Sequence, residues 1–222
     1  MDSTHDAVLA RQPQALALLR AAGILPILTV DSVSQAQAIA DALLQGGLHS
    51  IELTLRTPAA LESIAALKRS FPTLCIGAGT VVEPDHVRAA EDAGADFIVT
   101  PGTTPALRDA LVASTLPVVA GAATPSEVLV LAELGYRVAK LFPAAAVGGA
   151  TMLKALQGPI SEMRFCPTGG IGENDAAAYL ALPNVACVGG SWMLAPAWIA
   201  AGEFGKVRDS AARARTIVDS RI

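Results

Sequence analysis

The chain has 222 residues, 52% of them hydrophobic and 16% charged, so it can bury a large core and is not intrinsically disordered. Its formal net charge of −4 comes without a long basic run, which argues against nucleic acid or a membrane surface as a partner. No apolar stretch reaches the roughly 18–20 residues that span a bilayer, and the opening "MDSTHDAVLARQPQ" has neither a basic start nor an apolar leader segment; the expectation is a soluble, cytoplasmic protein forming a single domain over 1–222.

Taken in chain order, a leading helix over about 11–22 precedes eight short β-branched runs: 24–30, 50–55, 74–79, 96–101, 117–121, 137–142, 164–168 and 185–190. Ala/Leu-rich stretches of helical period fall between them, at about 34–45, 58–69, 84–93, 105–113, 125–134, 149–157 and 173–181. Strings such as "TPAALE" and "TPSEVL" open helices with Thr before Pro and an acid after it, and "AGAD" and "ELGY" close them at glycine. A polar, arginine-bearing tail helix at about 205–220 reads as a solvated amphipathic face. Eight strand–helix units in this length predict a (β/α)₈ barrel with an extra N-terminal helix and a C-terminal helix; a doubly wound open sheet is the alternative.

In such a barrel the chemistry gathers at the C-terminal ends of the strands. Along "SIELTLRT" the period of two puts Ile51, Leu53 and Leu55 on one face and Glu52, Thr54 and Arg56 on the other. An edge strand with a solvated face would give the same pattern, but it suits an antiparallel sheet better. The same period in "RVAKLF" groups Val138, Lys140 and Phe142. A lysine inside a partly dry barrel either pairs with an anion, here Glu52, or supplies a free amine that attacks a carbonyl. Of four lysines in the chain, Lys140 alone falls in a strand. Arg56 could itself pair with Glu52, two positions away on the same face.

Two glycine patterns bear on that choice. "CPTGGIGEND" (166–175) follows a strand and opens a helix, so amides near Gly169 to Gly172 can cradle an anion. "CVGGSWM" (187–193) does likewise after the last strand, and the loops after strands seven and eight are where barrels commonly hold phosphate. Cys75, Cys166 and Cys187 lie far apart in the sequence and read as buried free thiols. His5, His49 and His86 read as surface residues, and no His/Asp/Cys cluster suggests a metal or another cofactor. Trp192 and Trp198 read as core or interface anchors.

The stretches "GGLHSIELTLRT", "GAGTV", "TPG", "KLFPA", "RFCPTGGI" and "VGGSW", in that order over residues from about 23 to 196, resemble the 2-keto-3-deoxy-6-phosphogluconate (KDPG) aldolases, some members of which also cleave 4-hydroxy-2-oxoglutarate. The resemblance implies that Lys140 forms a Schiff base and that Glu52 is the general acid/base. It also implies that Arg56, Thr80 and Pro101 line the pyruvate end, with Phe142 beside the lysine. Phosphate would sit at Gly169, Gly170, Gly190 and Ser191, next to Thr168. A homotrimer, a phosphorylated keto-acid substrate and no cofactor are implied as well. Two stretches depart from the family pattern: "AGAAT" (120–124) stands for "PGIST", and "FPAAAVGG" (142–149) for "FPAEANGG". Both face the expected site and bear on substrate preference.

The expected activity is therefore that of a class I lyase releasing pyruvate and glyceraldehyde 3-phosphate. Two rivals use the same glycine loops: an isomerase or synthase that needs Glu52 but no reactive amine, and a non-catalytic sugar-phosphate binding protein.

Overall fold

The computed structural model describes residues 3–221. Eight parallel strands, β1 (Ile24–Leu28), β2 (Ser50–Thr54), β3 (Cys75–Gly79), β4 (Phe97–Val99), β5 (Val118–Ala122), β6 (Val138–Leu141), β7 (Arg164–Pro167) and β8 (Val188–Gly190), run in the order β7-β6-β5-β4-β3-β2-β1-β8. The two ends of that order meet through the bridges Phe165↔Val185 and Thr168↔Gly189, which bring the sheet round into a barrel. The open-sheet alternative is thereby set aside.

The helices α1 (Ser3–Ala22), α2 (Val33–Gln45), α3 (Ala60–Ser70), α4 (Pro84–Asp92), α5 (Pro105–Ala113), α6 (Pro125–Glu133), α7 (Gly149–Gln157), α8 (Glu173–Leu180), α9 (Pro196–Ala200) and α10 (Phe204–Asp219) complete the fold. Several start as the Thr-Pro signals predict. Thr104 and Thr124 cap α5 and α6 with Pro in the first turn, and Thr124 with Glu127 forms a capping box. In "TPAALE" the signal misplaces the start. The Thr57 hydroxyl donates to Val30 O at 2.6 Å, tying the β2–α3 turn to the end of β1, and α3 begins at Ala60 without a side-chain cap.

α1 starts well before residue 11 and plugs the N-terminal end of the barrel. Its Ala15, Leu19 and Ala22 pack with Leu25, Phe97, Val99, Val119 and Val138 from the inner strand faces. Gln12, also on α1, accepts from the amides of Arg137 (2.9 Å) and Val138 (3.1 Å), anchoring the strand that carries Lys140. Leu19 is fully buried there, so truncation to alanine would cost about 2–5 kcal/mol.

The tail helix is more than a solvated face. α10 buries Val207, Ser210, Ala211 and Ala214 and crosses α2 so closely that a Cβ on Gly46 would lie 2.5 Å from that of Ala211. It completes the outer ring beside α2 and α8, leaving its arginines to solvent. The strand faces divide as the alternation predicts: Ile51 and Leu53 pack outward with the helices, while Glu52 and Thr54 belong to the inward set.

Candidate active site

Parallel register fixes the floor of the site. In β6, Lys140 is opposite Gly121 of β5 and Cys166 of β7; in β2, Glu52 is opposite Ile27 of β1 and Gly77 of β3. Barrel curvature brings these two inward side chains together. Lys140 Nζ donates to Glu52 Oε1 at 3.0 Å and to Oε2 at 3.3 Å, with the side chains 6% and 2% exposed. The alternative pairing of Arg56 with Glu52 is not what the structure has. Nζ also lies 5.4 Å from the centroid of the Phe142 ring, over a face that favours a cation.

Room for this pair is made by glycine. A Cβ on Gly79 would fall 2.3 Å from Glu52 Oε1, and one on Gly189 would fall 2.3 Å from Thr168 Oγ1. Above the pair opens a cavity of about 170 Å³, walled by Arg56, Phe142 and Thr168, by the turn residues Gly169 and Gly170, and by Gly190 and Ser191 at the end of β8. Ile27, Ile171 and Gly189, which the sequence reading passed over, also line it. The parity that Ile27 shares with Leu25 in "ILPILTV" is the signal that could have found it; its place opposite Glu52 comes from the register of β1 on β2.

Arg56 stands at the mouth. Its Nε donates to Thr80 Oγ1 at 3.2 Å, and its remaining guanidinium nitrogens have no protein partner among the described residues. Thr80 holds a left-handed backbone, φ 57°, uncommon for a β-branched residue, and this conformation carries the hydroxyl that meets Arg56. A planar guanidinium fixed at one nitrogen can fork onto a carboxylate with the other two. Pro101 does not line the cavity. It follows β4, where its carbonyl carbon would lie 2.4 Å from a Cβ on Gly121, the residue opposite Lys140.

The two turns hold free donors. Gly169, Gly170 and Ile171 give their amides to no protein acceptor among the described residues, and Ser191 is exposed with a free hydroxyl. Gly172 differs, because its amide donates to Asp175 at 3.1 Å and so leaves the expected cradle. Gly169 and Gly170 have φ of 100° and 74°, the conformation that turns successive amides to one side.

Cys166 and Cys187, remote in sequence, both enter one interior cluster, where the Cys166 thiol meets the Thr168 hydroxyl at 3.9 Å and burial pushes the Cys187 thiol well up from its ordinary value. Cys75 is half-buried, and burial, with Asp96 beside it, raises its thiol to about 11. The histidines take no part in the cavity: His5 pairs with Asp6, and His86 accepts from the Val82 amide. No group of three or more His, Cys, Asp or Glu side chains among the described residues could hold a metal.

Comparison with known proteins accords with this geometry. The profile of the family described as KDPG and KHG aldolase matches residues 16–210. The chain is 48% identical over 190 residues to the 2-dehydro-3-deoxy-phosphogluconate aldolase of Pseudomonas aeruginosa, covering 86% of each. It is 38% identical over 193 residues to the KHG/KDPG aldolase of Escherichia coli K12, covering 87% of this chain and 91% of the relative. Among solved structures, a KDPG aldolase from Legionella pneumophila, captured with pyruvate as a covalent carbinolamine, superposes with a TM-score of 0.87 at 40% identity, over 90% of this chain and 97% of the other. On the match of profile, sequence and barrel alike, the chain belongs to the KDPG and KHG aldolase family.

Proposed function

We propose that this protein is a class I aldolase that cleaves 2-dehydro-3-deoxy-6-phosphogluconate to pyruvate and glyceraldehyde 3-phosphate, and 4-hydroxy-2-oxoglutarate to pyruvate and glyoxylate. The observation that carries the reading is the buried Lys140–Glu52 pair, 3.0 Å apart at the floor of an open cavity. An ion pair and a nucleophile are two stages of one cycle. Glu52 takes a proton from Lys140, the neutral amine adds to the C2 carbonyl, and loss of water leaves an iminium. That cation draws the electrons of the C3–C4 bond while Glu52, directly or through one water, accepts the C4 hydroxyl proton. The aldehyde departs, the enamine is protonated at C3, and hydrolysis returns pyruvate and the amine. No step asks for a metal ion.

Arg56, held by Thr80, binds the C1 carboxylate, with Phe142 beside the lysine. The C6 phosphate takes the free amides of Gly169 and Gly170, the Gly190 turn and the Ser191 hydroxyl, with Thr168 below. The carbinolamine captured in the Legionella relative supports the lysine's role. The isomerase and binding-protein alternatives have no use for a buried amine beside a carboxylate.

The same reading includes a homotrimer in the cytoplasm, the compartment in which a doubly charged phosphate ester is retained. Its support is the family resemblance, together with the exposed Leu129 and Val130 on α6, which an interface would cover. Light scattering should give the mass of three chains.

Incubation with pyruvate and borohydride tests the central claim. Mass spectrometry is expected to find one three-carbon adduct, on Lys140, with loss of activity; an adduct on Lys68, Lys154 or Lys206 instead would refute the assignment.

A further inference from the structure

Beside the active-site cavity lies a second, wider cleft of about 560 Å³, between the loop after β1 and the segment that follows β8. The two share Ile27 and Ser191 as walls, so they adjoin. Ile27 is the register partner of Glu52. A tail that leaves C4 on the Ile27 side, rather than toward the glycine turns that take the phosphate, meets this cleft. Leu194, Ile199 and Ala200 form the opposite wall, and Asp31 is the one ionisable side chain lining it among the described residues. With a carboxylate and no cation, the cleft repels an anionic tail and offers apolar surface to a neutral one.

We infer that this cleft is an acceptor subsite for 4-hydroxy-2-oxo acids that carry a neutral, apolar tail beyond C4, so that the enzyme also cleaves, and in reverse forms, unphosphorylated acids of that class. The inference rests on the Schiff-base reading above. The reaction is the same retro-aldol step: Glu52 takes the C4 hydroxyl proton, the C3–C4 electron pair enters the Lys140 iminium, and a long-chain aldehyde leaves in place of the phosphorylated one. Protonation at C3 and hydrolysis then release pyruvate, and the balance needs no oxidant or further reactant.

The experiment compares kcat/KM for 4-hydroxy-2-oxodecanoate, which has a hexyl tail, with that for 4-hydroxy-2-oxopentanoate, which has a methyl. The wild-type protein is expected to favour the longer acid by about tenfold or more, since each methylene moved out of water counts several-fold. Ala200 is exposed on α9, so Ala200→Trp fills the cleft at little cost to folding and should erase that preference while leaving the methyl substrate unchanged. Asp31→Lys, at another exposed position, should reverse the sign of the cleft and favour 4-hydroxy-2-oxodecanedioate, whose tail ends in a carboxylate, over the hexyl acid. Equal rates for the two tails in the wild type, or a preference that survives Ala200→Trp, would overturn the inference. If neither acid is cleaved while pyruvate and borohydride still mark Lys140, the subsite falls and the Schiff-base reading stands. Absence of the adduct removes that reading, and the subsite with it.

Discussion

Gly79 and Glu52 occupy one shared volume on the inner wall of the barrel: a Cβ on Gly79 would lie 2.3 Å from Glu52 Oε1 and 2.4 Å from its Cγ. Glu52 is thus held against the Gly79 backbone on one side and by the Lys140 ammonium on the other. Neither contact can shift without moving the carboxylate that the mechanism uses.

Gly79→Ala follows directly. Its added methyl has no room unless Glu52 swings away, so cleavage is expected to fall by about 10²-fold, the usual worth of a positioned acid/base. The pyruvate–borohydride adduct on Lys140 should form more slowly but still form. Circular dichroism separates this from unfolding, and a folded variant with near-normal turnover would show that Glu52 has freedom the packing denies.

Glu52→Gln keeps the shape of the side chain and removes its charge. Turnover should drop by about 10² or more. Because Lys140 then loses its buried counter-ion, stability should also drop, by about 3–5 kcal/mol. Chemical denaturation alongside kinetics checks both, and an unchanged rate would reduce Glu52 to a structural partner.

For the phosphate, Ser191→Ala is the clean variant, since the side chain is exposed and makes no hydrogen bond to protein among the described residues. It should weaken phosphorylated substrate by about 1 kcal/mol or somewhat more and leave 4-hydroxy-2-oxoglutarate little affected. The glycines are poorer probes. A Cβ on Gly190 would lie 2.0 Å from the Trp192 ring, and Gly170 combines φ of 74° with Ala145 Cβ at 2.6 Å, so Gly190→Ala and Gly170→Ala should depress both substrates. Parallel loss of both substrates in Ser191→Ala would place the phosphate elsewhere.

Acid stability offers an independent check on the capping box of α6. The Ala123 amide (2.7 Å) first, then the Thr124 hydroxyl (3.0 Å) and amide (2.8 Å), donate to Glu127 Oε2 and hold its carboxyl below the usual range. A carboxylate with a depressed folded pKa contributes stability above its unfolded value, near 4.3, and loses it as the pH falls through the folded value. Wild type should therefore melt above Glu127→Gln at pH 7, with the gap closing toward pH 3. Glu127 is exposed, so the gap should be modest. A difference in Tm that persists at pH 3 would show that charge is not its source.

Periodicity and local chemistry suffice for much of this protein. β-Branched runs, Thr-Pro helix starts and inward–outward alternation depend only on neighbours in the chain, so the eight strand–helix units, the inward Glu52 and Lys140, and the glycine turns are legible in the sequence. Local signals also mislead locally: Thr57 looks like a cap until its hydroxyl is seen on Val30 O, a partner supplied by another strand. What closure decides is different in kind. Lys140 meets Glu52 across the barrel, Cys166 and Cys187 join one interior cluster, and Arg56 meets Thr80 rather than Glu52. The cleft shared through Ile27 and Ser191 arises only because the first and last strands pair. These contacts depend on curvature and register summed over all eight strands, which bring together residues that no sequence window contains.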